Sequence, residues 1–372
     1  MSAFGKLKAI LTGSGRSTPR PTQQADDVYE ELRSAHVPVT DVDCRSCPDP
    51  CDQDHDDYTN RISVDMDTEL LGSVKPYRRQ VVISTGKSDW QKEVTEADGT
   101  LAAFLSSADE KFRTKPGTPD ANDLPSQGTK TLPAGIFTQE TAGRLSILNG
   151  NHNSLSLHHD TASTLETVLI LPDYKFVTDV PRSLDGAKLL WTTALDPAYG
   201  GFGSPDRSDT LKSWILPYSC LILLCSHKRR DKRCAVAAPV LEKSFTQCLE
   251  HEGWEVHTDL EDLSSKPTLE SLLSSRTPEG QDLEAVYQSQ LRILGGEHKA
   301  LILRSSHIGG HKFAGNVVIY TPGGASVWYG RVTPHHVESI VKNTIIGGQV
   351  LPAILRGGLN LVRPGCRTLH DW

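Results

Sequence analysis

LLCSHKRRDKRCAVAAPVL (residues 223–241) and ILRSSHIGGHKFAGNVVIYTPGGASVWYGRVTP (residues 302–334) decide how this chain is read. In each, an apolar run stops at a side chain that can bind a soft metal. Ser219–Leu224 (SCLILL) has the make-up of a buried strand ending at Cys225, and Ala300–Arg304 (ALILR) that of another ending just before His307. Cys234 follows Cys225 after eight residues, and His311 follows His307 after three. Loops leaving one edge of a sheet converge, so four ligands distant in sequence can meet. The spacer Ile308-Gly309-Gly310 helps, because glycine adopts backbone angles closed to other residues and lets the chain pass close to a bulky group.

Working outward, Val236–Glu252 has helical spacing and Trp254–His257 reads as a short strand. Asn316–Tyr320 and Ser326–Tyr329 flank Pro322-Gly323-Gly324, a hairpin signal, and Pro334–Lys342 closes with a helix. This order predicts an α/β fold with a thioredoxin-like domain over residues 211–372. Residues 58–200 echo it as an α/β domain without ligands, a degenerate thioredoxin-like repeat: strand at Gln80–Ser84, helix over Asp89–Leu105, strands at Arg144–Leu148, Thr167–Leu171 and Lys175–Asp179. Here Asn149–Ser154 (NGNHNS) occupies the place that SSHIGGH takes in the second half. Residues 1–57 read as a mostly disordered tail with one helix near Asp27–Ala35, and Arg113–Thr131 as an exposed loop.

At 372 residues the chain exceeds the roughly 100–200 of one domain, which agrees with two domains plus a tail. A net charge of −7 argues against nucleic acid as a general partner, since phosphate backbones are held by spread basic surface. No run of eighteen apolar residues exists, so no membrane span is expected. The eight cysteines cluster without an apolar secretory segment before them, a pattern of metal or redox chemistry in a reducing, cytoplasmic setting. Met1–Arg20 is basic with Phe4, Leu7 and Leu11 on one helical face, which a mitochondrial presequence shares; Pro19 and Pro21 interrupt it, and a short basic tail fits as well.

A Cys2His2 set suits several metals. Zinc accepts it, with a shorter gap between cysteines in its compact sites, and would make the domain a zinc-stabilised interaction module. A thiol oxidoreductase using Cys225 and Cys234 is a third reading, although eight intervening residues do not give the tight dithiol of C-x-x-C. Thiolates with imidazoles also hold a 2Fe-2S centre of raised potential.

The two quoted stretches resemble the fungal sucrase/ferredoxin-like family, and QVVISTGKSDW (80–90) with SILNGNHNSLS (146–156) extends the likeness more loosely into the first half. The resemblance implies a C-terminal thioredoxin-like ferredoxin, with His307 and His311 standing where related ferredoxins carry a second cysteine pair. It therefore implies one 2Fe-2S cluster on Cys225, Cys234, His307 and His311, in an electron carrier rather than a stand-alone enzyme, and a role in cytosolic redox homeostasis. His227 is an alternative ligand, while Cys220, Cys248 and Cys366 read as core or incidental thiols, and His335 and His336 as exposed at a helix start. Five of the six residues Lys228–Arg233 are basic, either a solvated loop or a docking patch for an acidic reductase or acceptor. Asp371-Trp372 resembles the C-terminal signal read by the cytosolic iron-sulfur assembly machinery, with His370 departing from the usual aliphatic residue. Cys44, Cys47 and Cys51, with His55, could form a second site, or a family segment whose role the sequence leaves open.

Charge counting gives the expected chemistry. Two ferric ions, two sulfides, two thiolates and two neutral imidazoles sum to zero, so adding one electron is easier than for four thiolates.

Overall fold

The computed structural model describes residues 21–42, 58, 61–113, 132–155, 164–204, 211–271 and 282–372. Cys44, Cys47, Cys51, His55 and the basic segment before Pro21 lie outside these residues.

In chain order the main elements are α1 (Pro21–Ser34), β1 (Arg79–Ser84), α2 (Leu101–Arg113), β2 (Ile136–Phe137), β3 (Leu145–Gly150), β4 (Leu165–Leu171), β5 (Lys175–Pro181) and α3 (Leu184–Leu190). There follow β6 (Lys212–Ile215), β7 (Cys220–Cys225), α4 (Lys232–His251), β8 (Glu255–His257), α5 (Leu283–Ile293), β9 (Lys299–Ser305), β10 (Val317–Tyr320), β11 (Ser326–Tyr329), α6 (Pro334–Ser339) and β12 (Leu355–Leu359). All strands join one mixed sheet in the order β2-β12-β11-β10-β7-β9-β3-β1-β4-β5-β6, with β8 on β9. β7 is apolar along its whole length and β1 carries Val81, Val82 and Ile83 at its centre; helices or a second layer cover both faces, and every residue of each strand is buried.

One connectivity occurs twice. β7 pairs parallel with β9 and antiparallel with β10, which pairs antiparallel with β11. β1 pairs parallel with β3 and antiparallel with β4, which pairs antiparallel with β5. This strand order is compatible with a thioredoxin-like arrangement in each half. The halves meet where β3 and β9 pair antiparallel at Gly150 and Ser305. Around that pair the backbone bonds are reciprocal, Asn151 N–H to Arg304 O (3.0 Å) and Ser306 N–H to Asn149 O (2.8 Å). Side chains repeat the symmetry: Asn151 Oδ1 accepts from Arg304 N, and Ser306 Oγ from Asn149 N.

The core forms layers on the two faces. In the second half α4 covers Ile222, Leu224, Ile302 and Val317, and in the first half α2 and α3 cover Val81, Ile83, Val168 and Ile170. On the opposite face one apolar cluster runs through both halves, from Val82 and Leu169 to Leu223, Leu303 and Val318, under Tyr287 and Leu291 of α5.

Several elements differ from the sequence reading. The first-half helix begins at Leu101, not Asp89: Gly99 at φ 72° turns the chain, and the Thr100 hydroxyl accepts from Ala103 N–H as a cap. α4 begins four residues earlier than its apolar spacing suggested, behind an Asp231 N-cap, which puts Cys234 in its first turn. Within the stretch read as tail, α1 is ordered, Leu32 and Val37 are buried in the second-half core, and Val39 bridges to Val350. His335 and His336 are half-buried rather than exposed, with His336 Nδ1 completing a capping box on Thr333. No helix among the described residues is long and apolar enough to cross a membrane.

Candidate metal centre

Cys225 ends β7, Cys234 opens α4, and the loop after β9 carries His307, Ile308, Gly309, Gly310 and His311. The parallel pairing of β7 and β9 sets Cys225 opposite Ser305, so both loops emerge at one edge. Cys225 Sγ lies 3.8 Å from His307 Nδ1, and the rings of His307 and His311 are 5.4 Å apart. The thiols touch each other: a hydrogen bond from Cys234 is the largest influence holding Cys225 well below its ordinary range, followed in the same direction by His307 and the Ile308 N–H, against its burial. The same contact, with burial, drives Cys234 upward, so Cys225 gives up its proton more readily than Cys234. Cys220 shows the contrast within one strand, its thiol pushed up to about 12 by burial alone.

The thiols are buried, His307 is half-buried and His311 is exposed. Burial and the neighbouring His307 lower the basicity of His311, while Asp231 acts in the opposite sense. The site therefore has a sealed sulfur side and an imidazole side open to water.

The loop holding the imidazoles is fixed from behind. His227 Nε2–H donates to the Trp90 carbonyl (2.9 Å), leaving Nδ1 to accept the His307 N–H (3.3 Å). Both its nitrogens are thus engaged within the fold, which makes it a support for His307 rather than a fourth ligand. Arg356, on β12 and 1% exposed, donates to Gly309 O (3.1 Å), Asn316 Oδ1 (2.7 Å), Ser73 O (3.2 Å) and Ser73 Oγ (3.0 Å). Asn316 Nδ2 in turn donates to Gly310 O (3.0 Å), and Asn316 O accepts from Cys225 N–H (3.2 Å). The sequence reading missed Arg356, Asn316, Ser73 and Trp90. One signal was present: an arginine inside the apolar stretch PAILRGGL.

The basic loop is largely neutralised inside the molecule. Arg229 pairs with Asp89 (3.5 Å), Arg230 with Glu93, and Arg233 with Asp231 (2.8 Å), while Lys228 and Lys232 are exposed. Asp89, Trp90 and Glu93 all belong to the first half, which thereby grips the cysteine loop. At the other end, Asp371 Oδ2 accepts from Arg367 and Thr368 N–H, and Trp372, 47% exposed, lies 5.3 Å from the Arg292 guanidinium.

The donors fit a metal group on three counts: two adjacent thiols of which Cys225 holds its proton weakly, a glycine at 309 whose Cβ position is open space, and the buried guanidinium of Arg356 with no carboxylate paired to it among the described residues. Among the described residues, the group with three ligand atoms all within 4.8 Å of one another is a different one, Glu255, His257 and Glu261; the four candidate ligands are not drawn together that tightly. Lys299 Nζ already pairs with Glu261 and lies 3.8 Å from Glu255, so an ammonium serves that cluster.

With this geometry in place, the profile of the sucrase/ferredoxin-like family matches residues 70–357. The chain belongs to the sucrase/ferredoxin-like family. Among relatives in this family, Actin patches distal protein 1 of Saccharomyces cerevisiae is 25% identical over 289 residues, 77% of this chain and 74% of its own. Altered inheritance of mitochondria protein 32 is 33% identical over 140 residues in Meyerozyma guilliermondii, covering 38% of this chain and 35% of that one. The protein of that name in Debaryomyces hansenii is 34% identical over 140 residues, covering 37% and 35%. The chain thus spans about a third of the length of these Altered inheritance of mitochondria protein 32 relatives. No solved structure matches it.

Proposed function

We propose that this member of the family is an electron carrier that holds one 2Fe-2S cluster through Cys225, Cys234, His307 and His311. The observation that carries the reading is the meeting of a buried, hydrogen-bonded thiol pair with the His307 imidazole across 3.8 Å, beside a buried cation. Bound there, the cluster supplies one-electron exchange. Cys225 and Cys234 hold it from the sealed side and keep water from the sulfurs, and His227 and Arg356 fix the loop that presents His307. His311 keeps an imidazole at the surface, where an electron donor or acceptor can approach and where a proton can be exchanged with water.

Docking of a reductase or acceptor at this edge, cytosolic location and contact with the iron-sulfur assembly machinery through Asp371-Trp372 are parts of the same proposal. The ion pairs of Arg229, Arg230 and Arg233 leave Lys228 and Lys232 as the loop charges available to an acidic partner.

Anaerobic purification followed by iron, acid-labile sulfide and zinc analysis with visible absorption tests the reading. About two irons and two sulfides per chain are expected, and Cys225→Ser and Cys234→Ser should each lose most of both. Stoichiometric zinc without sulfide would replace the carrier with a zinc-stabilised module.

A further inference from the structure

Resting on that reading, we infer that Arg356 is a fixed counter-charge of the metal group and sets its reduction potential. A buried guanidinium is costly unless an anion balances it. All four of its hydrogen-bond acceptors are neutral: two backbone carbonyls, a hydroxyl and an amide. No carboxylate pairs with it among the described residues, and the acidic groups that act on it are the thiols of Cys225 and Cys234. It also lies flush against the ligand loop: a Cβ on Gly310 would stand 2.3 Å from Arg356 Nη2. The rings of Phe313 and Trp328, 5.6 and 5.9 Å from the guanidinium carbon, wall it off from water.

The consequence follows from the charge count. One electron from an external donor converts one ferric ion to ferrous and takes the group from net zero to −1, next to a cation that water does not screen. Arg356 attracts that added charge, so reduction is easier with it than without it. A residue that merely clamped the loop would leave the potential where it is.

Three variants of the full chain, reconstituted with iron and sulfide, separate these roles by voltammetry. Arg356→Gln removes the charge and keeps donor groups; its midpoint should fall by at least the 59 mV that a tenfold change in a one-electron equilibrium represents. Arg356→Lys retains the charge and should stay well within that interval of the wild type. Asn316→Asp leaves the guanidinium in place but sets a carboxylate on it, and should lower the midpoint as Arg356→Gln does. If Arg356→Gln does not load, Asn316→Asp decides alone. A loaded Arg356→Gln or Asn316→Asp protein at the wild-type potential overturns the inference. Absence of iron and sulfide from the wild-type protein instead removes the cluster reading on which it rests.

Discussion

His152 and His307 each stand two residues beyond a strand end, at Gly150 and Ser305, yet they live in opposite surroundings. His307 is half-buried and meets a thiol, whereas His152 is 1% exposed with neither ring nitrogen hydrogen-bonded. Burial lowers the His152 pKa to about 4, against about 6.5 in an unfolded chain. The unfolded chain therefore takes up this proton first, and the stability that His152 confers is complete above pH 6.5 and lost as pH falls towards 4. Between pH 7.5 and 5 the loss is about 2 kcal/mol. Urea unfolding at both pH values should show that extra loss in the wild type and not in His152→Leu; equal slopes would mean that the imidazole is solvated. The sequence pointed to His307 and His311 as candidate ligands because their spacing is local. It did not reveal that His227 is a support or that Arg356 lies beneath the loop, since those roles depend on which distant strands become neighbours.

At the level of elements, the loop carrying His307 and His311 rests on two glycines that are needed for different reasons. Gly309 has φ 88° with open space where a Cβ would go, and Gly310 has φ 68° with the guanidinium in that place. Gly309→Ala should cost about 1–2 kcal/mol from backbone strain alone. Gly310→Ala should cost more, because Arg356 must also move. Thermal melts and iron retention would rank the two, and equal losses would show that Arg356 yields freely. Strands with continuous apolar runs, such as VVI in QVVIS and ALIL in ALILR, were legible because they are buried on both faces. β12 was not, since LRGGL puts two glycines and an arginine in a strand that only its place in the sheet explains. The start of α4 was obscured for a similar reason: its first turn is polar and declares itself only through the Asp231 cap.

Across the whole molecule, the apolar cluster that runs through both halves and the grip of Asp89, Trp90 and Glu93 on the cysteine loop bind the fold into one unit. Equilibrium unfolding should give coincident transitions by far-ultraviolet circular dichroism and tryptophan fluorescence. Two separated transitions would show that the halves are thermodynamically independent. A chain cut to residues 211–372 should bind iron poorly, because Ser73 and Trp90, which brace Arg356 and His227, go with the missing part. The pairing at Gly150 and Ser305 carries a further meaning. Like strand ends meeting head to head, with reciprocal bonds on either side, are the self-complementary contact of a twofold dimer, here written into a single polypeptide. Covalent linkage makes that association independent of protein concentration and releases the copies from having to remain identical. One copy can keep the reactive loop while the other closes over its histidine and becomes wall.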